Sequence, residues 1–206
     1  MYISKLLLNP GSYQVQKDIG NPYLLHKTIL RAFPDDIEVQ GIEERVLYRL
    51  STEKSTSLPY LLIQSFNIPN WDFLKKVSDY LLKEPQVKEF KYPQFKSDAN
   101  FYFRLFCNPT KKSNGKRVGM YREEDQFEWL KRKGKLNGFK IIHATLTQKK
   151  ELVAREKKGN PQMTFQSVLF EGVLRIEDPQ TFLMALKKGI GSGKAFGCGF
   201  LTIAKL

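Results

Sequence analysis

Two runs, Arg45-Val-Leu-Tyr-Arg-Leu-Ser51 and Tyr60-Leu-Leu-Ile-Gln-Ser65, follow one another across a single polar stretch and read as consecutive strands. Helical signals flank them on both sides. Upstream, Asn21 is placed to cap a helix and Pro22 occupies its first position, where a missing N–H costs nothing; the helix runs to about Phe33. Before it, residues 2–8 (Tyr-Ile-Ser-Lys-Leu-Leu-Leu) form a strand that Pro10 and Gly11 end. Downstream, Asn70 caps a second helix that has Phe73, Leu74, Val77, Leu81 and Leu82 at helical spacing. A last strand over 87–92 stops at Pro93. The order is β-α-β-β-α-β, the ferredoxin-like pattern.

The second half repeats that order. Residues 100–106 (Asn-Phe-Tyr-Phe-Arg-Leu-Phe) alternate as a strand, and a basic loop over 110–117 leads into a helix from about Glu123 to Lys133. Strands follow at 139–147 and 164–176, linked by the charged segment 149–158. Pro179 opens a helix over 181–188, Gly189 ends it, and residues 199–205 close the chain as a strand. The expected fold class is therefore α+β, with two tandem ferredoxin-like domains over 1–95 and 96–206. No repeat in the sequence itself accompanies the repeated order.

Composition narrows the class of partner. The chain has 206 residues, and 13% of them are aromatic, more apolar surface than a disordered chain leaves in water. No apolar run approaches the ~20 residues that span a bilayer, and the N-terminus does not read as a signal peptide. The two cysteines, Cys107 and Cys198, form no disulfide framework, so a reducing, cytoplasmic setting is expected. Charge is uneven. Residues 1–100 carry 13 basic and 12 acidic side chains, while residues 101–206 carry 21 and 9. That excess suits a polyanion held by the second half, with nucleic acid as the commonest such partner.

Few residues here carry chemistry. His26 and Tyr23 are three apart on the first helix, hence neighbours on one flank of the stripe made by Leu25, Ile29, Ala32 and Phe33. An imidazole there moves a proton near neutral pH, and a phenol beside it can bond a phosphate oxygen. The same spacing also suits a half-buried His and a Tyr covering the edge of a core. His143 lies on a strand and reads as a sheet-surface or face-filling residue. The two histidines and two cysteines lack the short spacings of a zinc site. No carboxylate cluster for two-metal chemistry is evident, since Asp35-Asp36 and Glu43-Glu44 fall in turns. Neither metal nor small-molecule cofactor is expected.

Three basic clusters mark the second half: Lys111, Lys112, Lys116 and Arg117; Lys131, Arg132, Lys133 and Lys135; and Arg155, Lys157 and Lys158, with Lys149 and Lys150 just before. Charge runs of this kind suit either RNA phosphates or plain solvation. The glycine run 189–199 misses the P-loop pattern, with three residues rather than four before Gly193-Lys194 and then Ala195. What it offers is backbone that approaches an anion, or another backbone, closely.

Taken together, Tyr2–Pro10, Asn21–Pro34, Phe170–Pro179 and Gly189–Leu201 resemble the CasE family of CRISPR-associated endoribonucleases, and the likeness spans nearly the whole chain. The resemblance implies cleavage of the CRISPR repeat stem-loop RNA at the base of its stem, and retention of the product among the other Cascade subunits. It makes His26 catalytic, as base or as acid, with Tyr23 assisting. It places the glycine-rich loop on Gly189–Gly199, with Gly191, Ser192, Gly193 and Lys194 as RNA contacts, and an RNA-engaging basic hairpin in the 149–160 segment. A non-cleaving RNA-binding subunit is the alternative, and a basic adaptor for an acidic protein is a third reading.

Overall fold

In the computed structural model of the chain, residues 1–33, 38–39, 42–43, 45–77, 79–156 and 162–206 are described, leaving aside the side chains of 38–39 and 42–43. They form two compact units. The first comprises Met1–Lys91 together with Ala154–Gln162, and the second Tyr92–Val153 together with Met163–Leu206. The acidic doublets Asp35-Asp36 and Glu43-Glu44 fall outside the described side chains, as do Lys157 and Lys158.

The first unit is built on a four-stranded sheet. Its elements in chain order are β1 (Tyr2–Leu7), α1 (Tyr13–Gly20), α2 (Pro22–Leu30), the short pair β2 (Glu38–Val39) and β3 (Ile42–Glu43), β4 (Leu47–Thr52), β5 (Pro59–Ser65), α3 (Asp72–Lys75) and β6 (Gln86–Glu89). The sheet order is β4-β5-β1-β6, with antiparallel pairing throughout. The strands that follow the first helix and precede the second thus lie side by side, as the ferredoxin-like pattern requires. Helix α2 ends at Leu30, short of Phe33, but Leu25 and Ile29 on it and Ala32 and Phe33 just beyond are buried as the spacing predicts, and they pack with Leu6, Tyr48, Leu61 and Trp71.

The second unit repeats this order. It contains β7 (Asn100–Cys107), the pair β8 (Thr110–Ser113) and β9 (Lys116–Gly119), α4 (Glu123–Leu136), β10 (Phe139–Ala154), β11 (Met163–Ile176), α5 (Pro179–Lys188), a 3-10 turn at Lys194–Phe196, and β12 (Leu201–Lys205). Its main sheet runs β10-β11-β7-β12. Phe103, Trp129, Phe139, Phe170 and Phe182 form its core, with Phe182 edge-on to Phe139 and Phe95. Both halves are ferredoxin-like.

Several elements depart from the sequence reading. Residues 13–20 form α1, a helix that was not expected; Ser12 precedes it and Val15 is buried. The second helix is a single turn, because Leu81 leaves helical geometry to bridge Leu8 and the Leu82 N–H donates to the Leu7 carbonyl. The apolar spacing at 77–82 therefore served a sheet edge. Residues 110–117 belong to a hairpin rather than a loop. Asn114 and Gly115, both at positive φ, make its two-residue turn, and Ser113 faces Lys116. The segment from 149 is mostly the end of β10, which extends to Ala154 instead of stopping near 147.

Candidate catalytic site and basic surface

The start of α2 assembles the first candidate site. Asn21 caps the helix, its side-chain oxygen accepting from the Tyr23 N–H at 3.2 Å. The same amide also clasps the backbone of Arg155. Asn21 Nδ2 donates to the Arg155 carbonyl at 2.8 Å, and the Arg155 N–H donates to Asn21 Oδ1 at 3.1 Å. One residue on, the Tyr23 hydroxyl donates to the Glu156 carboxylate at 3.3 Å. Partial burial and that carboxylate together raise the Tyr23 pKa, so the phenol stays protonated and remains a donor.

His26 lies one turn further along, half-buried. Its ring stacks on buried Tyr48, with centroids 6.3 Å apart and planes 15° from parallel. Nδ1 is buried and has no hydrogen-bond partner among the described residues. Burial lowers the His26 pKa from its ordinary 6.5, because a charged ring would lose hydration with no carboxylate to compensate. The ring is thus neutral at physiological pH. With one nitrogen enclosed, the other is left to meet a ligand. Lys27 adds a cation 5.6 Å from the Tyr23 ring centroid.

Helix α2 is fixed from behind by a buried carboxylate. Asp18 on α1 accepts from Gln14 Nε2 at 2.7 Å, from Thr28 Oγ1 of α2 at 2.7 Å and from the Tyr80 hydroxyl at 2.8 Å. Three neutral donors satisfy an acid that is wholly buried. Sequence reasoning missed Asp18, Tyr48 and Glu156. Their contacts join residues far apart in the chain, and only Ser12 before Val15 and Ile19 offered a local sign of α1.

The remaining sequence candidates that are described lie in the second unit, apart from Arg155, which is exposed in the first; Lys157 and Lys158 lie outside the described residues. Lys111 and Lys112 sit on β8, and Lys116 and Arg117 on β9, all exposed. Lys149 and Lys150 are exposed on β10, and Lys149 pairs with Glu123 at 3.0 Å. Gly191, Ser192, Gly193 and Lys194 form the loop before β12, joined to the end of β7 by the Asn108–Ser192 bridge. Two positions in that run show why it is glycine. At Gly199 an added Cβ would lie 2.6 Å from the Ile190 carbonyl oxygen, and at Gly191, with φ +82°, it would press on the Trp129 ring at 3.0 Å. His143 is exposed on β10 beside Thr145, a sheet-surface histidine. Among the described residues, no group of three or more His, Cys, Asp or Glu side chains is placed to hold a metal ion. Nor is any helix there long and apolar enough to cross a membrane.

A histidine held neutral beside a phenol on one ferredoxin-like unit, and a cation-rich surface on a second, define a class of protein that handles a polyanion. Comparison with known proteins narrows it. The family described as "CRISPR associated protein" matches residues 1–205, and the chain belongs to it. The CRISPR-associated endoribonuclease Cse3 of Thermus thermophilus is 34% identical over 99% of this chain and all of its own length. The CRISPR system Cascade subunit CasE of Escherichia coli is 27% identical, with both chains covered in full. A solved structure of CRISPR endoribonuclease Cse3 bound to a 19-nucleotide RNA superposes with a TM-score of 0.85 at 32% identity, over 99% of this chain and 100% of that one.

Proposed function

We propose that this chain is the endoribonuclease that cuts CRISPR repeat RNA at the base of its stem-loop, without a metal ion, and then keeps the product within a Cascade complex. The observation that carries the reading is His26: a half-buried, neutral imidazole with one nitrogen enclosed, one turn from a tyrosine that already donates to an anionic oxygen. The names of the related endoribonuclease and Cascade subunit support it. Residues 1–95 then carry the chemistry and residues 96–206 hold the RNA, in the cytoplasm.

The reaction follows from what the side chains do. Neutral His26 accepts the proton of the 2′-hydroxyl beside the scissile phosphate. The 2′-oxygen attacks phosphorus in line as the bond to the 5′-oxygen breaks. That oxygen leaves with a proton from water or a nearby acid, giving a 2′,3′-cyclic phosphate and a 5′-hydroxyl. Tyr23 transfers its donated hydrogen bond from Glu156 to a phosphate oxygen. Proton transfer of this kind contributes about 10²–10⁴-fold. Arg155, Lys157 and Lys158, with Lys149 and Lys150, engage the stem. Lys111, Lys112, Lys116, Arg117 and the 191–194 loop add further phosphate contacts.

Incubating the protein with labelled repeat stem-loop RNA in EDTA tests the reading. Cleavage at the stem base with cyclic-phosphate ends is expected. A gel shift without cleavage would make the chain a non-cleaving RNA binder, and neither result would leave it a basic adaptor.

A further inference from the structure

The second unit holds a cavity of about 500 Å³ with cations on two of its walls. Lys111, Lys112 and Arg117 of the β8–β9 hairpin form one wall, and Arg132 and Lys133 of α4 another. Thr110 of β8 and Gly191 and Ser192 of the glycine loop complete the lining over the buried Trp129 ring. No carboxylate lines it, and none of the five cations makes an ion pair with one among the described residues.

One of the five, Lys133, lies 5.8 Å from the Trp129 ring centroid and gives the fold a cation–π contact, while the charge around it works against the fold. Lys112 sits directly opposite Arg117 across the antiparallel pair, a register in which like charges destabilise a hairpin. Lys133 has its pKa lowered by burial and by the neighbouring positive charges of Arg132 and Arg117. Charge held this close without a counter-ion fits a site that is completed by an anion. Trp129 is 2% exposed, so its face is closed to a stacking base. What the walls offer is charge and hydrogen-bond donors, the chemistry that contacts phosphate and reads no sequence.

We infer that this pocket is a phosphodiester-binding site for the RNA backbone, with Arg132 and Lys133 as the cations of its α4 wall. This rests on the proposed function and adds residues and a role to it. The site uses none of the residues around His26 and is indifferent to base sequence.

The test replaces Arg132 and Lys133 together by Gln, which keeps much of each side chain's packing, and measures RNA affinity against salt. Each lost phosphate contact should flatten the slope of log affinity against log salt by about 0.7 to 0.9, so the pair should remove roughly 1.4 to 1.8. Two RNAs are compared, the bare stem-loop and the stem-loop with its single-stranded flank. Flattening with both supports the pocket with the stem as its ligand, and flattening only with the flanked RNA supports it with the flank. An unchanged slope with both, in a variant that melts at the wild-type temperature, overturns the pocket. So does equal flattening in the control Lys54→Gln/Lys76→Gln, which removes the same charge from exposed sites in the first unit. Wild-type protein that binds the RNA without cutting it would instead remove the proposed function and leave the pocket standing.

Discussion

The two sheets share one strand order, β4-β5-β1-β6 in the first unit and β10-β11-β7-β12 in the second, yet the residues mounted on them differ in kind. Residues 1–100 are nearly balanced in charge, and there the unusual groups are enclosed: Asp18 among three neutral donors, and His26 against Tyr48. Residues 101–206 carry most of the excess cations, and there the unusual groups are crowded together at the surface. Enclosure lowers the His26 pKa by limiting the hydration of the charged ring. Crowding of like charge stores affinity for a polyanion. One topology thus supports two electrostatic strategies, and the difference lies in side chains rather than in backbone.

The largest effect is expected from a change in the substrate. If the first unit performs attack by the 2′-oxygen, a 2′-deoxy substitution at the scissile nucleotide should abolish product formation while leaving binding intact. Cleavage of the deoxy substrate in a gel assay would contradict that division.

Next comes the buried carboxylate. Asp18→Ala strands the Gln14, Thr28 and Tyr80 donors and should cost roughly 3 kcal/mol in thermal or urea unfolding. A cost below about 0.5 kcal/mol would show that α2 is fixed by apolar packing alone.

Asn21→Ala should have a smaller effect. Losing the cap contributes about 1 kcal/mol, and the variant also loses both hydrogen bonds to Arg155. Asn21→Asp keeps the cap and the acceptor for the Arg155 N–H but loses the donor to the Arg155 carbonyl. It should therefore recover most of the stability and only part of the cleavage rate. Equal recovery of both would reduce Asn21 to a helix cap.

The finest test is pH. Burial holds the His26 pKa below 6.5, so the folded state keeps the ring neutral where an unfolded chain would begin to protonate. Any stability from that neutral ring is complete above 6.5 and is lost as pH falls through the folded value. For a general base the cleavage rate under sub-saturating conditions, which follows the titration of the free protein, should be level through neutrality and fall only on the acid side, with a midpoint under 6.5. A rate that instead declines as pH rises through that region would make His26 the acid.

How much of this the sequence revealed depended on the range of the interaction. The α2 stripe, its Asn-Pro start and the order of strands are local signals, and they hold in the structure. The β8–β9 hairpin was also locally marked by Asn114-Gly115, and the basic residues around it obscured the turn. Leu81 and Leu82 imitated helical spacing while serving a bridge to β1, a tertiary demand that outweighed periodicity. His26 and Tyr23 were visible as neighbours. Tyr48 behind the ring, Glu156 on the phenol and Asp18 behind the helix were not, because each contact links distant parts of the chain.

His26 is proposed to perform the chemistry while basic side chains, Arg155 among them, hold the RNA. Assaying His26→Ala for binding and single-turnover cleavage in the same samples, with EDTA present and enzyme saturating, separates the two roles. The expected outcome is stem-loop affinity within a few-fold of wild type and a cleavage rate lower by 10²–10⁴-fold or more. A variant that cuts the bound RNA at the wild-type rate would contradict the account.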